Sequence, residues 1–208
     1  MWFAHVLFTV VAVFAQQRIS PVLWSGGLSP TSVHIVARTF DENVSLTVRR
    51  NDVNDDRFVW KSIGESRSSF DESLRHYFFD DLVPDAAYDY FLDSRSDNVG
   101  TFRTPSNSTQ SANFSFVVSA CSDTGANFQV YNALTRHIQE NQSLFYLMTG
   151  DIAYADIASN SSALYHAMFN QLFTLNRQAA VFRSTPLVYV WCVSIASKSL
   201  SLQDELQG

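Results

Sequence analysis

The stretch "LFYLMTGDIAYAD", residues 144–156, decides how the second half of this chain is read. It opens on a run that is nearly all apolar or aromatic, the pattern of a strand buried on both faces, as strands of parallel sheets are. The run breaks at Gly150. Asp151 follows at once, then Tyr154, then a second carboxylate at Asp156. Polar chemistry therefore arrives where a parallel sheet presents its C-terminal edge to ligands.

Working outward, "FSFVVSAC" (114–121) reads as the strand before it and "PLVYVW" (186–191) as the strand after it. Between them, "ANFQVYNALTRHIQE" (126–140) places Val130, Leu134 and Ile138 at four-residue spacing, and "SSALYHAMFNQLFTLN" (161–176) does the same with Leu164, Met168 and Leu172. Both segments predict helices. Ser122, Asp123 or Thr124 is placed to cap the first, and Ser161 or Ser162 the second. His137 and His166 read as solvated helix residues. The order β-α-β-α-β predicts a parallel sheet with crossover helices.

Residues 20–105 have a different rhythm. "TSVHIVARTF" (31–40) alternates Val33, Ile35 and Ala37 with His34, Val36 and Arg38; "NVSLTVRR", "DRFVWKSI" and "LRHYFFDDL" follow with polar turns between them. Short strands recurring roughly every ten residues predict a β-sandwich. In "LVPDAAYDYFL" (82–92), Leu82 and Pro84 precede Tyr88 and Tyr90, the approach to a tyrosine corner of the fibronectin type. His34 and His76 read as ordinary strand residues. "TPSNSTQSAN" (104–113) is small, polar and without periodicity, and reads as a linker.

The 208 residues are 46% hydrophobic and 16% charged, the composition of a globular protein. A formal net charge of −6 and the lack of a basic stripe argue against a nucleic-acid partner. The first residues, "MWFAHVLFTVVAVFAQQ", hold an apolar core from Val6 to Phe14 that is too short for a stable membrane span. It reads as a signal peptide cleaved after Ala15, although only His5 stands where a basic residue is usual. The expected location is secreted or extracytoplasmic. Five sequons, at Asn43, Asn107, Asn113, Asn141 and Asn160, are candidate glycosylation sites in such a compartment.

Cys121, Asp151 and Cys192 leave the ends of the three α/β strands, and Tyr154 follows Asp151 in the same loop. A thiolate, a carboxylate and a phenolate are mutually repulsive unless a cation joins them. With two oxygens, Asp151 has the donors to bridge two metals, and a metal pair activates water and clamps a phosphoryl oxygen. The residues therefore point to a metal site for ester hydrolysis.

At these residues the chain resembles a family. "FSFVVSACSDTGANFQVYNAL", then "LFYLMTGDIAYAD", then "TPLVYVW" resemble the opening of PhoD-type alkaline phosphatases, a branch of the metallophosphoesterases. The segment beginning "LWSGGLSPTSVHIVART" is similar to the N-terminal domain those proteins carry. The resemblance spans most of residues 20–191. It implies that Cys121, Asp151 and Tyr154 bind iron, that Asp151 also reaches calcium, and that the activity is hydrolysis of phosphate mono- or diesters. Zinc or manganese is the runner-up metal assignment.

The expected fold is thus β plus α/β: an N-terminal fibronectin/Ig-like β-sandwich (16–105), a linker (106–113), and an incomplete parallel βαβαβ metallophosphatase domain (114–208). Where the family continues into Asp-Asp-His, this chain reads "CVSIASKSLSLQDELQG". The expectation is a tail divergent from about residue 192, produced by splicing, a frame change or a gene-model error. Later metal ligands are then missing, and the chain as written is a truncated, inactive hydrolase relative. Two rival readings stand beside this. Cys121 and Cys192 form a disulfide, or the protein is a non-catalytic secreted module whose sandwich binds a partner or carbohydrate. Substrate identity and oligomeric state are not legible in the sequence.

Overall fold

The computed structural model describes residues 22–39, 41, 43–53, 56–66, 73–93, 95–107, 109, 111–122, 128–151, 154, 157 and 160–190. The expected signal segment, Asp123, Thr124, Asp156, Cys192 and the divergent tail all lie outside them.

The first half builds two antiparallel sheets from β1 (Leu23–Gly26), β2 (Val33–Arg38), β3 (Ser45–Arg50), β4 (Val59–Ile63), β5 (Glu65–Ser66), β6 (Leu74–Phe79), β7 (Ala87–Leu92) and β8 (Arg95–Arg103). One sheet has the order β1-β2-β6-β5 and the other β4-β3-β7-β8. The alternation read in β2 is the physical one: Val33, Ile35 and Ala37 are 2%, 0% and 0% exposed and, with Tyr77 of the neighbouring β6, share one core with Leu46, Val48 and Tyr88 of the other sheet. Val36, on the other face, is buried too; it lies opposite Trp24 of β1, on the face turned toward the α/β half. At the entry to β7 the chain folds back on a tyrosine. The Tyr88 hydroxyl receives the Val83 N–H at 2.8 Å and donates to the Val83 carbonyl at 3.3 Å, pinning the turn before the strand.

The second half places β9 (Val117–Ser119), β10 (Tyr146–Met148) and β11 (Leu187–Tyr189) in one parallel sheet of order β11-β10-β9. Helix α1 (Val130–Glu140) joins β9 to β10; α2 (Ser162–Thr174) and α3 (Asn176–Ser184) join β10 to β11. The sequence expected one helix in that second crossover. The observed pair arises because Leu175 turns to an extended conformation (φ −67°, ψ 119°) and restarts the chain.

Two details of the helices differ from expectation. In α1 the inward residues are Tyr131 and Ile138 with Leu134, while Val130 is 62% exposed. In α2, Leu172 is buried but Leu164 is half-exposed. Neither helix has a side-chain cap: Gln129 and Ser161 occupy the cap positions without a capping hydrogen bond. Ser122 lies well before α1 and is committed elsewhere, as described below.

The helices cover one face of the three-stranded sheet through Tyr146, Met148, Phe182, Val181 and Leu172. The opposite face carries a row that register aligns across all three strands, Val118–Leu147–Val188, with Val118 52% and Val188 41% exposed. The stacked pair Phe116–Phe145 (centroids 4.9 Å apart) continues that face toward the N-terminal edge. Parallel sheets ordinarily have both faces covered; among the described residues this one has a single helical layer.

The two halves meet through specific contacts. Trp24 stacks on Phe173 of α2 at 4.7 Å, and the Thr101 hydroxyl donates to the Ser184 carbonyl at 3.1 Å. Arg103 donates to Asp85 at 2.7 Å and to Gln142 of the α1–β10 turn at 2.6 Å.

Candidate metal centre

The site forms where β9 and β10 end. Both chains leave their strands through left-handed backbone: Cys121 has φ 57°, Gly150 φ 124° and Asp151 φ 46°. Glycine adopts such angles freely and aspartate tolerates them, but cysteine rarely does. Non-glycine residues held in this region concentrate at functional sites. Here the two reversals aim the Cys121 and Asp151 side chains at each other.

Their meeting point is one carboxylate oxygen. Cys121 Sγ lies 3.9 Å from Asp151 Oδ2, and the Tyr154 hydroxyl donates to the same oxygen at 3.0 Å. Hydrogen bonds to Cys121 and to Asp151 hold the Tyr154 phenol well above its ordinary range. The phenol is therefore protonated near neutral pH, and its proton is shared with the Asp151 carboxylate. All three side chains are solvent-exposed, Tyr154 at 51%. Tyr154 is thus not a packed loop aromatic.

The backbone beneath them is tied down. The Ser122 N–H donates to the Asp151 carbonyl at 2.8 Å, joining the two site loops directly. The Ser122 hydroxyl pairs with the Tyr131 hydroxyl of α1 at 2.7 Å and receives the Gln178 amide of α3 at 3.1 Å. All three residues are buried, Gln178 to 1% exposure. Ser122 is therefore the core anchor of the Cys121 loop, not a helix cap. Deeper still, Ser119 hydrogen-bonds Tyr146, whose phenol burial pushes upward.

The sequence reading missed two residues. Tyr189 aligns with Met148 at the same sheet edge, and its phenol is pushed up by burial and then by the charge of Asp151. The register of a parallel sheet, which predicts that "PLVYVW" ends beside "LFYLM", was the available signal for it. Gln178 had no such signal, because α3 itself was not expected.

The donor set suits a cation: one sulfur, one carboxylate and one phenol converge within hydrogen-bonding distance of a single oxygen. Among the described residues no cluster of three His, Cys, Asp or Glu side chains exists, so the tyrosine is needed to reach three donors. The pairing of Cys121 with Cys192 falls outside the described residues; among those residues Cys121 has no disulfide partner. The sequon asparagines Asn43, Asn107, Asn113, Asn141 and Asn160 are all exposed. Asn141 already donates its amide to the His137 carbonyl at 2.9 Å, closing the last turn of α1. His34 and His76 are not independent strand residues, since His34 Nε2 and His76 Nδ1 are 3.0 Å apart. Among the described residues no helix is long and apolar enough to cross a membrane.

No protein-family model and no curated protein matches the chain. Among solved structures, the fold is similar to that of PhoD, with a TM-score of 0.62 at 17% identity over 82% of this chain and 38% of that one. The chain thus spans well under half the length of that protein. The sensor domain of the anti-sigma factor RsgI4 from Pseudobacteroides cellulosolvens aligns with 46% of this chain and 97% of that one at 18% identity, with a TM-score of 0.34. A redesigned β-sandwich aligns with 44% of this chain and 93% of that one at 13% identity, with a TM-score of 0.31. Neither of these two scores supports an argument.

Proposed function

We propose that the chain carries part of the metal centre of a secreted, PhoD-like phosphoester hydrolase, acting on phosphate mono- or diesters. The observation that carries this reading is the convergence of the Cys121 thiol and the Tyr154 phenol on one oxygen of Asp151. The likeness of the fold to PhoD supports it. On this reading Cys121, Asp151 and Tyr154 would hold iron, and Asp151 would also serve calcium. Zinc and manganese are the alternative occupants. Such a pair supplies Lewis acidity for an ester phosphoryl group and lowers the pKa of water.

The chain's own part is to hold three donors at one rim. Asp151 accepts from the Tyr154 hydroxyl, so the phenol and the carboxylate that would hold a cation already lie side by side. The Ser122–Tyr131–Gln178 cluster fixes the spacing between the two donor loops. We assign the sandwich to the fibronectin type, a reading that the Tyr88 fold-back supports, and keep 16–105 as its proposed bounds. The segment from 114 onward we assign to the βαβαβ metallophosphatase class with a doubled second crossover.

The test is spectroscopic. Ferric iron bound by phenolate and thiolate absorbs visible light through ligand-to-metal charge transfer. Purified protein loaded with iron is expected to be coloured, with Tyr154→Phe and Cys121→Ser each removing a separate band. Protein that retains no metal, or a spectrum indifferent to both substitutions, would overturn the assignment.

A further inference from the structure

A cleft of about 1030 Å³ lies at the other end of the α/β sheet from the candidate metal centre. It is bounded by Asp85 before β7, by Arg103 at the end of β8, by residues 104–107 and 111–115 of the connector, and by the α1–β10 turn. Its size is at the top of the ~300–1,000 Å³ range of small-molecule sites. Its charged groups are already paired, because Arg103 bonds both Asp85 and Gln142 across it. An ionic ligand therefore has little left to recognise.

What remains is neutral and of two kinds. Phe114 and Phe145 line the cleft, with centroids 6.4 Å apart, and Phe116 stacks on Phe145 beyond them. Phe114 is 61% and Phe116 47% exposed. Beside these rings stand the asparagines Asn107, Asn113 and Asn141. Three of the chain's five sequons thus open onto one cleft. The Asn141 amide is committed to the end of α1, whereas Asn107 and Asn113 lie exposed on a connector without regular structure.

We propose that this cleft is the seat of an N-linked glycan of the chain itself, carried by Asn107 or Asn113. The sugar's C–H faces lie on the phenylalanine rings, and its hydroxyls meet the neighbouring amides. The occupant needs only weak affinity of its own, because the covalent bond keeps it at high local concentration. Bound there, it shields the N-terminal end of the bare sheet face and braces the connector against both halves. The inference rests on the extracytoplasmic part of the proposed function.

The experiment expresses the full chain in a secreting eukaryotic cell and maps glycopeptides by mass spectrometry. Glycan at Asn107 or Asn113 is expected. Trimming the folded protein with an endoglycosidase that leaves a single sugar should raise binding of an apolar fluorescent dye. Asn43→Gln, on the sandwich, should leave dye binding unchanged, and Asn107→Gln with Asn113→Gln should reproduce the effect of trimming. Bare Asn107 and Asn113 in exported protein, or trimming without a rise in dye binding, would overturn the proposal. If the chain's own leader does not direct export, the extracytoplasmic reading fails by itself. The same measurements on protein exported by a foreign leader then decide the glycan question separately.

Discussion

The backbone N–H of Ser122 donates to the backbone carbonyl of Asp151 at 2.8 Å, so the loops bearing the candidate thiol and the candidate carboxylate are one hydrogen-bonded unit. The Ser122 hydroxyl continues that unit inward to Tyr131 and Gln178.

Ser122→Ala leaves the Tyr131 hydroxyl and the Gln178 amide buried without their shared partner. A stranded buried polar group costs about 1–3 kcal/mol. For a chain of this size each kcal/mol shifts the melting temperature by roughly 2–4 °C. A thermal melt should show that fall, and iron titration should show weaker binding although no donor was removed. A variant that melts lower but binds iron unchanged would confine the cluster to stability.

Asp93 is expected to make stability pH-dependent. Burial pushes its carboxyl up, but hydrogen bonds from Ser45, Thr47 and Lys61 outweigh that, and the net shift is downward. A carboxylate depressed in the folded state stabilises above its unfolded pKa, near ~3.9, and loses that contribution as pH falls through the folded value. Asp93→Asn should therefore be destabilised at pH 7, with the gap to wild type closing under strong acid. The group is partly solvated, so the effect at neutral pH is below about 1 kcal/mol. Denaturant melts across pH measure it; a gap that persists in acid contradicts the account.

Gly100→Ala should be severe. A Cβ there would sit 2.2 Å from the Cζ of Tyr90, a fully buried ring in the sandwich core. Overpacking of this kind costs typically about 1–3 kcal/mol and at times more. Pairing the change with Tyr90→Leu should recover part of the loss in a denaturant melt. No recovery would place the defect in the backbone of β8.

The row Val118–Leu147–Val188, without a helical layer among the described residues, predicts self-association of the unglycosylated chain. Val118→Thr with Val188→Thr should keep the strand pairing and lower light scattering on concentration. Scattering unchanged by both substitutions would clear this face of the effect.

Local chemistry made much of this legible in advance. The period-two burial of Val33, Ile35 and Ala37 needs only the pleat, and the Tyr88 fold-back is closed within five residues. The convergence of Cys121, Asp151 and Tyr154 followed from reading the segments as parallel strands whose ends share an edge. What the sequence hid depended on distant partners. Ser122 resembles a helix cap until Tyr131 and Gln178 are seen to hold it. Val130 has the spacing of a core residue, yet the helix is rotated so that Tyr131 turns inward. The split of α2 from α3 rests on a single extended residue, Leu175, whose identity favours continuation of the helix.

The stack of Trp24 on Phe173 bears on how such a protein diversifies. Residues of the sandwich and of the helical layer are complementary halves of one joint, so neither half is a freely exchangeable cassette. A chimera that grafts a foreign sandwich ahead of residue 104 would leave Phe173 with Phe182 alone as a ring partner among the described residues and lose the Thr101 and Arg103 tethers. Recombination at the connector should succeed only when the donor brings its own tryptophan.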